Sequence, residues 1–69
     1  MERTQVDSTN IQSIGYNVDF QLLEIEFRNG AVYQYFDVPQ HIFEEFLAAS
    51  SKGKFFAQFI KGVYRYSRK

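Results

Sequence analysis

Apolar residues recur along this chain with two periods, and the change from one to the other falls at residues 37–40. From Ile11 to Val18, the residues Ile14, Tyr16 and Val18 hold alternate positions, which predicts a strand. Asn17 to Gln21 contains a turn. Leu22 to Arg28 reads as a second strand, with Leu23, Ile25 and Phe27 on a buried face and Glu24, Glu26 and Arg28 on a wet one. Asn29-Gly30 is a hairpin signal, and a third strand follows from Ala31 to Phe36. Beyond it the period lengthens. Asp37 is a candidate N-cap with Gln40 three residues on, and Pro39 suits a first helical turn. Ile42, Phe43, Phe46 and Leu47 then share one helix face. After a break at Ser50-Ser51-Lys52-Gly53, the set Phe55, Phe56, Phe59, Ile60, Val63 and Tyr64 repeats that spacing and predicts a second helix over 53–64.

The predicted fold class is therefore α+β: a three-stranded antiparallel meander followed by two helices packed on one face. Residues 1–9 are polar and aperiodic, and are expected to form a flexible N-terminal arm. Residues 10–66 make a single domain and 67–69 a basic tail; Arg65 to Lys69 reads either as exposed tail or as a short added strand.

Length and composition set bounds on this picture. A chain of 69 residues is one small domain, and at this size only about 60% of the unfolded surface is buried. Its 8 Phe and 5 Tyr are the natural core material, since each aromatic ring buries a large area. There is no Cys and one His, so disulfides are excluded and a structural zinc site lacks ligands; no cofactor is expected. No apolar run approaches the ~20 residues of a membrane span, and Met1 to Gln5 is not a signal peptide. The expectation is a cytoplasmic domain.

The charge is balanced in total but not along the chain. Residues 1–51 carry two basic and eight acidic side chains, and residues 52–69 carry six basic and no acidic one. Such asymmetry points to a polyanionic partner or to a solvated basic face. Lys52 and Lys54 stand at the start of the second predicted helix, where cations oppose the helix dipole unless an anion sits there. Ser51, Lys52, Gly53 and Lys54 thus form a candidate phosphate cradle, though most such starts are only caps. Lys61, Arg65, Arg68 and Lys69 complete the candidate basic site.

Tyr33 and Tyr35 share one face of the third strand. A two-residue loop at Asn29-Gly30 would place them on the wet face as a stacking platform. A three-residue loop over Arg28 to Gly30 would set Tyr33 opposite Ile25 and Tyr35 opposite Leu23, in the core, with Gln34 outside beside Glu24. The second register is preferred because it keeps the Gln34 amide out of the core. His41 has no nucleophile or carboxylate at catalytic spacing, and no metal, phosphate-loop or dinucleotide motif is present, so no catalytic residue is assigned.

Several segments together resemble the KTSC domain: Ile14-Gly15-Tyr16, Leu23 to Gly30, Tyr33-Gln34-Tyr35-Phe36-Asp37-Val38-Pro39, Ala49 to Phe56, and Ile60-Lys61-Gly62-Val63-Tyr64. That family occurs at the C-terminus of some lysyl-tRNA synthetases and as free-standing bacterial and phage proteins, and Tyr33 and Tyr35 match its hallmark Tyr-x-Tyr. Lys61 stands where the family often has Arg, which keeps the charge but loses a planar fork. The resemblance implies RNA, tRNA by analogy, as partner. The expected function is a small non-catalytic binding module that holds RNA through its basic C-terminal helix and tail. The alternative is a protein-interaction or self-associating module.

Overall fold

The computed structural model describes all 69 residues. Five antiparallel strands form one sheet whose spatial order follows the chain: β1 (Arg3–Gln5), β2 (Ile11–Asn17), β3 (Leu22–Phe27), β4 (Val32–Tyr35) and β5 (Tyr66–Arg68). Between β4 and β5 lie α1 (Gln40–Ala48) and α2 (Lys52–Phe55). The chain runs on from α2 through a π-helical turn, Phe56–Ile60. The α+β class and the helices on one sheet face agree with the sequence reading. The strand count is corrected from three to five, four of them ahead of the helices.

The two added strands are the sheet's edges, and neither carries the alternation that marks a half-buried strand. β1 lies within the stretch expected as an arm and pairs Arg3, Thr4 and Gln5 with Gly15, Ile14 and Ser13. Gly15 makes this approach possible. A Cβ there would lie 2.7 Å from Arg3 Cγ and 2.8 Å from the Glu2 carbonyl oxygen. β5 pairs Tyr66 with Tyr35, Ser67 with Gln34 and Arg68 with Tyr33, with all three of its residues exposed.

The β3–β4 turn adopts the three-residue form. The Phe27 N–H donates to the Ala31 carbonyl at 2.8 Å, the Gly30 N–H to the Phe27 carbonyl at 2.9 Å, and Asn29 Oδ1 accepts from the Ala31 N–H at 3.0 Å. Ile25 faces Tyr33, Leu23 faces Tyr35 and Glu24 faces Gln34, so the tyrosines lie on the helix side. On β2 an irregularity skips Gln12, and this extra residue brings Ile11 and Ile14 to the same buried side despite their odd spacing. They join Leu23, Ile25, Tyr35, Val38, Phe46 and Ile60 in the core.

Three local expectations are corrected. Asn17 Oδ1 accepts from the Asp19 and Phe20 N–H groups, which ends β2 early and leaves Val18 exposed rather than inward. Asp37 is not a cap. It sits at φ +59° facing Arg65, Pro39 holds the cap position without a side-chain bond, and Gln40 reaches forward to Glu44. The second helical segment stops at Ile60 instead of residue 64. There the Lys61 N–H bonds the Phe56 carbonyl, and Gly62 at φ +77° turns the chain toward β5.

Candidate functional site

Three adjoining clefts run along the flank of α2 and its π turn. The first, about 430 Å³, lies between the β1–β2 connection (Asp7 to Asn10) and Ser50 to Lys54. The second, about 540 Å³, shares Thr9, Asn10, Gly53 and Ala57 with it and continues past Arg28 to Phe27, Asn29, Phe56 and Lys61. These last four also border the third, about 370 Å³, which ends at Tyr33, Tyr35, Tyr66 and Arg68. The shared walls make one groove. Its lining carries the cations Arg28, Lys52, Lys54, Lys61 and Arg68 and a single acid, Asp7.

The tyrosine end is built by strand pairing. Because β5 sets Tyr66 opposite Tyr35 and Arg68 opposite Tyr33, all four side chains share the helix side of the sheet. The Tyr66 ring centroid lies 5.6 Å from both Tyr33 and Tyr35, and those two are 6.5 Å apart. Phe56 meets Tyr35 edge-on at 5.7 Å and Phe27 at 5.4 Å. The Arg68 guanidinium stands 5.9 Å over the Tyr33 ring. Tyr35 is buried at the floor while Tyr66 is 61% exposed at the mouth. Burial first, and then the neighbouring Tyr33 and Tyr66, push the Tyr35 hydroxyl pKa up to about 12.

The residues singled out from sequence divide into groups. Ser51 caps α2, its Oγ accepting from the Lys54 N–H at 3.3 Å. The Lys52 ammonium turns back to the Ala49 carbonyl at the end of α1, while Lys54 is exposed. With Gly53 they line the first cleft, and Lys61 and Arg68 line the third. Arg65 lies elsewhere, paired with Asp37 at 2.9 Å and set over the Phe36 ring. Lys69 reaches the opposite sheet face. Four of the six late cations thus meet on one groove. Arg28 joins them from the acidic part of the chain, tied by its Nε to the Ser8 carbonyl and by Nη1 to Gln12. A count of charge along the sequence gives no sign of Arg28, because the β1–β2 connection brings it there. His41 is exposed in the first turn of α1 and borders none of the clefts.

The opposite sheet face holds a polar cluster around Glu24, which is only 3% exposed. Gln34 Nε2 donates to its Oε1 at 3.0 Å, Lys69 Nζ lies at 3.5 Å, and Arg3 Nε stands 3.5 Å from its Oε2. Burial alone would raise the Glu24 pKa. The Gln34 hydrogen bond and the charges of Lys69 and Arg3 outweigh it, so the carboxyl sits below its ordinary value. Ser13 donates to Glu26 at 2.9 Å beside it.

Comparison with known proteins matches this architecture. The crystal structure of a KTSC domain protein from Yersinia pestis superposes with a TM-score of 0.95 at 43% identity, over 99% of this chain and 96% of that one. An uncharacterised protein of Stutzerimonas stutzeri is 41% identical over 69 residues, covering 99% of this chain and 97% of its own length. The lysine–tRNA ligase of a Nostoc species is 41% identical over 58 residues; these are 84% of this chain and only 10% of the ligase. The family model for the KTSC domain matches residues 7–64, from the connection after the first edge strand through the turn that leads to the last, and the chain belongs to that family.

Proposed function

We propose that this protein is a non-catalytic binding module for single-stranded RNA in the cytoplasm, with the groove along α2 as its contact surface. One observation carries the reading: five cations line a continuous path that has one acid and ends beside an exposed tyrosine ring. Cations spaced along a groove suit a phosphate backbone, and an open aromatic face at its end suits a base. The kinship of this domain with a segment of lysine–tRNA ligases supports an RNA setting, with tRNA the natural first candidate.

The test is a titration with single-stranded RNA of mixed sequence over a range of salt. If all five cations meet phosphates, log K falls against log salt with a slope of about −3.5, at ~0.7 per contact. A flat response overturns the reading. A salt-sensitive dimer in sedimentation, together with no RNA binding, favours a self-associating module in its place.

A further inference from the structure

Tyr35 is set deepest in the tyrosine cleft, 3% exposed, with Tyr33, Tyr66 and Phe56 packed against its ring. A buried tyrosine hydroxyl ordinarily finds a partner. Tyr16 does so, donating to the Val38 carbonyl. The Tyr35 hydroxyl makes no hydrogen bond within the protein. It is not sealed away either: the one fully enclosed side-chain polar atom without a partner is Nη1 of Arg3. The Tyr35 oxygen therefore keeps some contact with solvent, and of the clefts on the molecule the tyrosine cleft is the one that Tyr35 lines.

What could meet it there is limited by the walls. The rings of Tyr33, Tyr35 and Tyr66 already lie within stacking range of one another, so no slot for a planar base remains between them. Phe27, Ala31 and Phe56 give the cleft apolar walls; its side-chain polar groups are the three phenols, the Asn29 amide, Lys61 and Arg68, with no carboxylate. Those polar groups supply donors and positive charge and no fixed negative charge, which suits a compact anion rich in acceptor oxygens.

We propose that the third cleft is a phosphate subsite, in which the Tyr35 hydroxyl donates to a phosphate oxygen while Lys61 and Arg68 balance its charge. The subsite rests on the RNA reading only for the source of that phosphate, a backbone group rather than a free ion. Because the hydroxyl holds its proton until pH approaches 12, it is a donor throughout the neutral range.

Tyr35→Phe tests this cleanly, since it removes an oxygen that no protein group uses and keeps the ring. Wild type and variant are titrated with inorganic phosphate and with single-stranded RNA, and thermal unfolding checks the fold. The expected result is about tenfold weaker RNA binding in the variant, the size of one hydrogen bond to a charged group, at an unchanged or higher melting temperature. Inorganic phosphate is expected to shift the resonances of Tyr35, Tyr66 and Lys61 in the wild type alone. Equal RNA binding by both proteins, with no phosphate response at Tyr35, overturns the subsite and leaves the RNA reading standing. A phosphate response lost in the variant, with no RNA bound by either, upholds the subsite and ends the RNA reading. Binding of neither ligand ends both.

Discussion

A buried carboxylate keeps its charge only when that charge is answered nearby. Glu24, on the central strand, is answered from both edges of the sheet: by Arg3 on β1 and by Lys69 just beyond β5, with the Gln34 amide between. Its folded pKa is lowered, so its contribution is fully present above the unfolded value near 4.5 and is lost as pH falls through the folded one. Acid titration of stability should show this loss beginning below about pH 4.5, and Glu24→Gln should remove that component of the slope. At neutral pH the same substitution is expected to cost about 1–3 kcal/mol in chemical denaturation, as a buried charged hydrogen bond is lost. Sequence alone put Glu24 correctly on the face away from the core. It gave no sign that the residue is covered, because the covering strands have no hydrophobic pattern of their own.

At the level of elements, legibility tracks how much apolar surface each one buries. β3, β4 and α1 were readable from period and turn chemistry, and the preferred register of Tyr33 and Tyr35 followed from one argument about where an amide can rest. Edge strands need only backbone partners, so β1 left no trace and β5 only an alternative. The bulge at Gln12 hid Ile11 from a strict alternation. The groove itself was half legible: Lys52, Lys54, Lys61 and Arg68 were marked by composition, whereas Arg28 and the part played by Tyr66 opposite Tyr35 depend on pairing. β1 also offers a test. In Gly15→Ala the new methyl collides with the Glu2 carbonyl, a backbone atom that yields only if the strand moves. The expected outcome is a loss of about 1–3 kcal/mol, with hydrogen-exchange protection vanishing from Arg3–Gln5 while β3 and β4 keep theirs.

Across the whole molecule, equal numbers of acids and bases conceal a polarity between two faces. The groove side gathers cations, while on the reverse side Lys69 and Arg3 are committed to Glu24. Position, not net charge, should then govern RNA binding. Lys61→Ala and Lys69→Ala remove the same charge. The first is expected to lower the salt slope by about 0.7 and the second to leave it unchanged, a comparison that titration at several salt concentrations decides. The reverse side has one more property. Arg3 and Lys69 lie two and zero residues from the chain's ends, and both reach the same carboxylate within 3.5 Å. A fluorophore, an affinity handle or a neighbouring domain joined beside Arg3 or Lys69 would therefore depart from the back of the molecule and leave the candidate groove uncovered.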